Sequence, residues 1–462
     1  MLKKQTQSIP PAPPLRKLLG PSFILLGLGL GSGEVILWPY LSSNWGLGIA
    51  WGALLGIFFQ FFINMEIERY ALARGESVFI GLARKWKWVP YWLMISTILA
   101  FGWPGIIATS GTLFAHVFGG NATIISIVFL LLIGIILTTG KYIYNTVEHF
   151  SRLIIMIGVP AVLVLTIYLF EPSDVGGLLV GLVGHGDGYT FLPVGIPLAT
   201  FLAALAFSGA GGNLNLAQSS YIREKGYAMG AFSEKVKGLF SGGNAQKIDL
   251  EGYAFDAENE ENIARFGQWW TQVNKEHFFV FFFTGLITML MLMLLSYTTT
   301  FGTAGNAQGI QFVINEAVAI GVATVPMIGT LFALLMALML FSTQFTVLDS
   351  TSRIISENFV ATTLGKNKPA HLSRYYYIFL WTQILFGICV FAFGLTEPLT
   401  LLIISAVLNA VCMFVHIGLV NVLNWKELPR QIQANIWRRA VILIAFIFFG
   451  VFSMITILDK LL

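Results

Sequence analysis

Glu34 holds the most chemical potential in this chain, because it interrupts a long apolar run directly after Gly29-Leu-Gly-Ser-Gly33. Placing a carboxylate at the centre of a bilayer costs at least about 2.5 kcal/mol, so one retained there reads as a cation ligand or a proton acceptor. A second glycine-rich interruption, Ser208-Gly-Ala-Gly-Gly212, runs straight into Asn213, with Asn215 and Gln218 close behind. Glycine weakens a helix interior, and interrupted spans in corresponding halves of a chain are the best sequence pointer to a transport site. Unwinding frees carbonyls and helix ends, which can hold a cation or face an anionic group where they line a buried cavity. The candidate binding positions are therefore Gly31, Ser32, Glu34, Ala210, Gly211 and Asn213, with Glu34 and Asn213 as the candidate metal ligands. Each also has a structural reading. Glycine lets helices approach closely and amides join neighbouring helices, while a glutamate held by backbone N–H groups would only shape the break. Asp349 and Arg353, four residues apart, are spaced for a local ion pair, structural or gating.

These groups need long apolar elements to position them. Of the 462 residues 56% are hydrophobic and only 11% charged, with a mean hydropathy of +0.77. Soluble domains carry about 25% charge, so lipid must be the solvent for most of the chain. A span takes about 20 apolar residues. On that criterion the spans fall near 21–42, 49–66, 90–117, 121–140, 153–170, 195–220, 278–297, 324–346, 375–395, 398–423 and 439–457. The fold class is all-α, a polytopic membrane protein of about eleven spans. The two interruptions lie five spans apart and so enter from opposite sides, as two inverted five-helix units require. Their expected extents are 20–172 and 195–423, followed by an eleventh helix over 437–462.

Lysine and arginine set the orientation. Of 27 basic residues all but Lys460 fall in the tail, in the loops after every second span, or at the ends of those spans. By the positive-inside rule the N-terminus is cytoplasmic and the C-terminus outside, in the plasma (inner) membrane. Residues 1–19, polar and proline-rich, read as a cytoplasmic tail, and 222–277 as a solvated cytoplasmic connector with Trp269-Trp270 at the headgroup level. Gly102-Trp-Pro-Gly105 should kink the third span. Cys389 and Cys412 lack metal-ligand spacing, and no His-Glu-x-x-His or phosphate loop occurs. No enzyme activity, cofactor or nucleic-acid partner is expected; the basic residues form no concentrated patch.

Three segments together resemble the Nramp family of divalent-metal transporters. GPSFILLGLGLGSGE is similar to the family's first helix with its Asp-Pro-Gly-Asn break, FSGAGGNLNLAQSSYI to the Met-Pro-His break and the segment after it, and FSTQFTVLDSTSRIISENF to the eighth-helix Gln-Ser-Ser-Thr region. The likeness covers roughly residues 20–425 and implies a LeuT-like five-plus-five inverted repeat with one extra helix. It also marks departures. Gly31 stands where the family has its metal-binding aspartate, Ser32 for the proline, Gly33 for the glycine and Glu34 for the asparagine. Ala210 replaces the methionine, Gly211 the proline, Gly212 the histidine and Ala217 a later histidine. The acidic pair of the family's third helix maps near Gly102 and Gly105, which argues against proton coupling by that route. Loss of the soft sulfur favours a harder cation such as magnesium or manganese. The resemblance thus implies a divalent-cation carrier with a rebuilt site. The alternatives are a carrier of an amino acid or other small organic solute on the same fold, or a non-transporting sensor.

Overall fold

The computed structural model describes residues 6–15, 18, 20–139, 143–233, 252–362 and 372–461. Among these, ten helices are long and apolar enough to cross a membrane. They are Pro21–Trp45, Leu47–Arg74, Val89–Phe118, Ala122–Thr139, Ile143–Leu169, Glu260–Thr300, Pro326–Ala361, Leu372–Ala392, Pro398–Glu427 and Ile436–Ile455. The remaining crossing comes in two short pieces, Leu198–Ala206 and Leu214–Lys225, between the fifth and the seventh. Its apolar length was legible, and its division explains why it is no single helix.

Burial sorts the spans. The first span's most apolar window is wholly buried, and those of the second and eighth are 72% and 78% buried. The fourth, fifth and eleventh, at 28%, 28% and 22%, present their side chains outward to lipid. The broken sixth span packs into the interior, with Phe201 to Ala206 and Leu214 to Glu224 all buried. The spans carrying the candidate residues are therefore the ones shielded from lipid, where an unpaired polar group must find a protein partner or a ligand.

Several helices run well past the expected membrane limits. The eighth has 36 residues, about 54 Å at 1.5 Å per residue, against a hydrocarbon thickness of about 30 Å. The second runs to Arg74 and the seventh starts at Glu260, capped by the Asn259 side chain accepting from Glu261 N–H at 2.9 Å. Glu68, Glu148, Glu276 and Glu357, expected outside the spans, consequently lie on span helices and are buried.

The connector and tail also differ from expectation. Residues 234–251 lie outside the described residues, but 252–277 fold back on the protein. Trp269 is buried against the protein, donating from Nε1 to the Pro10 carbonyl at 2.8 Å. Ile9, fully buried, accepts from Arg265 at its carbonyl (2.9 Å) and donates its N–H to Asn262 (3.1 Å). Proline-rich backbone offers carbonyls with few N–H groups of its own, so the tail docks by accepting from side chains. The third span does break as its Trp-Pro pair predicts, ending one helix at Phe101 and beginning the next at Gly105.

Candidate functional site

The sixth-span interruption is a true break. Gly209, Gly211 and Gly212 have φ of +130°, +73° and +52°, backbone that side-chain-bearing residues rarely adopt. The first span differs from expectation. It kinks at Leu30 (ψ +19°) and passes through a π-helical turn, Ser32–Leu37, without unwinding into extended chain. One extra residue in a turn is enough to re-aim side chains, and such turns gather at functional positions.

The two interruptions touch backbone to backbone. A Cβ added to Gly33 would stand 1.8 Å from the Phe207 carbonyl oxygen, and one on Gly29 would stand 2.8 Å from Gly209 Cα. Gly31 abuts Thr343 of the eighth span, whose hydroxyl donates to the Gly27 carbonyl at 2.9 Å. The glycines are thus spent on close approach, and they do not leave a roomy chamber between the breaks.

Glu34 is fully buried, and among the described residues neither carboxylate oxygen has a hydrogen-bond partner. It lies beside Gly29 and Gly285, whose added Cβ atoms would come within 3.0 and 3.4 Å of Oε1. The reading in which backbone N–H groups satisfy this carboxylate therefore has no support in the geometry. Asn213 is equally buried but held elsewhere: its amide donates to Ser96 (2.8 Å) and Thr97 (3.0 Å) on the third span, leaving Oδ1 unpartnered. The breaks meet, yet the two candidate ligands have different surroundings. Ala210 is buried within the break; the Ser32 side chain lies outside the described residues.

Three residues that the sequence reading passed over shape this region. Gln60 of the second span donates to the Ala206 carbonyl and accepts from Gly211 N–H, both at 3.1 Å. It thereby supplies the hydrogen bonds that the interrupted helix lacks. Asn409 of the tenth span places an unpartnered Oδ1 against Gly212, and Thr343 holds the first span. Gln60 was detectable as the one amide in Gly56-Ile-Phe-Phe-Gln-Phe-Phe62. Gln60→Leu should cost about 1–3 kcal/mol for each backbone group orphaned, read as a lowered melting temperature in detergent. An unchanged melting point would dismiss this clasp.

Asp349 and Arg353 pair as their spacing predicts, Nε lying 2.9 Å from each carboxylate oxygen. They belong to something larger. Arg353 also reaches Glu224 of the sixth span, Arg223 grips Glu357 at 2.9 and 3.2 Å, and Tyr221 and Tyr376 donate to Asp349 at 2.9 and 2.8 Å. Ser77 and Ser220 complete Glu357 at 2.6 and 2.9 Å. This buried network ties the sixth, eighth and ninth spans together at the end of the sixth span beyond its break.

Among the described residues no three His, Cys, Asp or Glu side chains are spaced to hold a metal ion together. A cation beside Glu34 would depend on one carboxylate, on carbonyls and on retained water, the manner of a hard ion.

Neither a family model nor a curated protein sequence matches the chain. Solved structures do. A manganese transporter of Eremococcus coleocola, as a mutant, aligns over 98% of this chain and 89% of that one with a TM-score of 0.70 at 13% identity. The same transporter in complex with an aromatic bis-isothiourea substituted compound gives 0.68 at 14% identity. MhsT in complex with L-phenylalanine gives 0.50 at 14% identity over 95% of this chain and 97% of that one. With ten long apolar spans and one further crossing made of two short helices among its described residues, the chain is a multi-pass membrane protein with the LeuT-like fold that these transporters share.

Proposed function

We propose that this protein is an Nramp-like secondary transporter that carries a divalent cation by alternating access, with Glu34 at the centre of its site. The observation behind this reading is a fully buried carboxylate without a partner among the described residues, set beside a helix divided at mid-span. Such a group is costly unless a ligand offsets its charge. The helices of 20–172 and 195–423 would serve as the two repeats, with the N-terminus cytoplasmic, the C-terminus outside and the plasma (inner) membrane as the location. Gly31, Ser32 and Gly211 would give backbone access to the ion, Asn213 would offer its unpartnered Oδ1, and Ala210 would stand where a sulfur is absent. The protein would act as a carrier and not as an enzyme.

The manganese transporter of the same fold supports a metal cargo by analogy. The oxygen-only ligand set favours manganese or magnesium over softer ions. An amino-acid cargo is the second reading, on the precedent of MhsT with L-phenylalanine. It is weakened by the close backbone packing of Gly33 on Phe207 and of Gly29 on Gly209, where there is no room even for an added Cβ.

Purified protein in liposomes should accumulate manganese above empty-vesicle controls, with magnesium competing. In a parallel thermal-shift screen, divalent ions should raise the melting temperature and amino acids should not. Shifts with amino acids alone would reverse the assignment, and ligand binding without accumulation would make the protein a sensor.

A further inference from the structure

On the second span, Gln60, Asn64 and Glu68 succeed one another at intervals of four residues and form one row down a helix face. Each step advances about 6 Å, so Glu68 lies about 12 Å along the helix from the Gln60 clasp at the sixth-span break. Facing this row, the lower half of the sixth span carries Asn215 and Gln218, three residues apart and also on one face. The rows meet where Gln218 Nε2 donates to Glu68 Oε1 at 2.7 Å.

All four side chains below Gln60 are fully buried. Both polar atoms of Asn64 and of Asn215, together with Glu68 Oε2 and Gln218 Oε1, have no hydrogen-bond partner among the described residues. Buried polar atoms are ordinarily satisfied. Six without a partner on two facing helices mark a place built for a polar occupant.

The charge says which kind. Glu68 lies 3.3 Å from His277 Nδ1; that imidazole is 2.9 Å from Ser22 Oγ, and Ser22 donates to Glu276. The nearest cations are Lys225, paired with Glu148 at 2.8 Å, and Arg438, which lies 3.6 Å from Glu66, a carboxylate it shares with Arg69, donates to Asn274 and also acts on Glu68. Two carboxyl groups, Glu68 and Glu276, face this place and neither has a guanidinium or ammonium group in a direct ion pair among the described residues. An anion or a neutral apolar solute is therefore disfavoured, and a positive charge is wanted.

We propose that Asn64, Glu68, Asn215 and Gln218 form a second cation station, lying between the second and sixth spans on the side of the break away from Leu198. Its ligand is a divalent cation that keeps part of its hydration shell. The oxygen-only donors select a hard ion, and one direct carboxylate with three amides suits an ion held partly through water. The Gln60 row makes the station continuous with the break, so an ion leaving Glu34 has a next stop. This rests on the reading of the chain as a divalent-cation carrier.

The test is the number of manganese ions bound per full-length chain in nanodiscs, counted by the loss of free-ion paramagnetic signal. Wild-type protein should bind two, and Glu68→Gln and Asn64→Leu one each, with magnesium displacing the ion that those variants lose. Glu34→Gln should also bind one, the ion that Glu68→Gln removes. Should Glu68→Gln and Asn64→Leu both bind as many ions as wild type, the station is overturned while the central site stands. If Glu34→Gln leaves the count at two while Glu68→Gln lowers it, the station stands and Glu34 loses its assigned role. Asn64→Leu adds no charge and removes only unpartnered atoms, so it keeps the test open should Glu68→Gln fail to fold.

Discussion

Glu34→Gln should abolish manganese uptake into proteoliposomes while leaving the protein folded and its melting temperature unchanged or slightly raised. The two halves of this expectation have one cause. Glu34 is fully buried and neither oxygen is hydrogen-bonded, so the substitution breaks no bond that the folded chain makes. Glutamine has nearly the same volume, and cores tolerate volume-conserving changes well. What it removes is the negative charge, which would otherwise need several kcal/mol of compensation at this depth. A residue retained only for shape would show the opposite pattern, losing stability and keeping transport. The readouts are uptake against empty vesicles and melting in detergent, measured on the same preparation. Uptake at the wild-type rate by a well-folded Glu34→Gln protein would refute the assignment of the carboxylate.

The sequence made the architecture readable because lipid imposes long apolar runs, and because basic residues gather in every second loop between them. A glycine cluster marked the sixth-span interruption because few other residues can take φ of +52° to +130°. Its difference from the first-span cluster was not legible. Gly29, Gly31 and Gly33 look like an unwound stretch, yet the helix continues through a π turn, since those glycines serve contacts with Gly209, Thr343 and Phe207 from other spans. Close approach and unwinding select the same residue, and only the partner decides between them. Gln60 and Asn409 were hidden differently. Each stands as an amide among apolar neighbours, detectable as such, but nothing local reveals that it meets the broken span. Glu68 was missed because the second span runs eight residues past its expected end at 66, to Arg74, and without it Asn64 has no row to belong to. A charged residue near a helix terminus looks solvated in sequence, although here it is buried.

The network around Arg353 carries the second large expectation. Asp349, Glu224 and Glu357 face Arg353 and Arg223, three negative charges to two positive, all buried. Arg353→Leu strands Asp349 with only hydroxyl donors and leaves Glu224 with Arg223 at 3.8 Å. Breaking a buried pair from one side costs about 3–5 kcal/mol. The network joins the sixth and eighth spans past the break, so that cost falls on the contacts between them, and a bias of about 3 kcal/mol shifts a two-state population about a hundredfold. A cysteine introduced as Ala217→Cys, at a position fully buried on the sixth span, reports this directly. With Cys389 and Cys412 replaced, its alkylation rate should rise at least about tenfold when Arg353→Leu is added, since tenfold corresponds to only about 1.4 kcal/mol. Arg353→Lys, which keeps the charge but loses the two-oxygen grip on Asp349, should fall between. A lowered melting temperature with an unchanged alkylation rate would leave the network a structural tie. A raised rate makes it a gate, because the same contacts that hold the helices together would then decide when the buried break meets water.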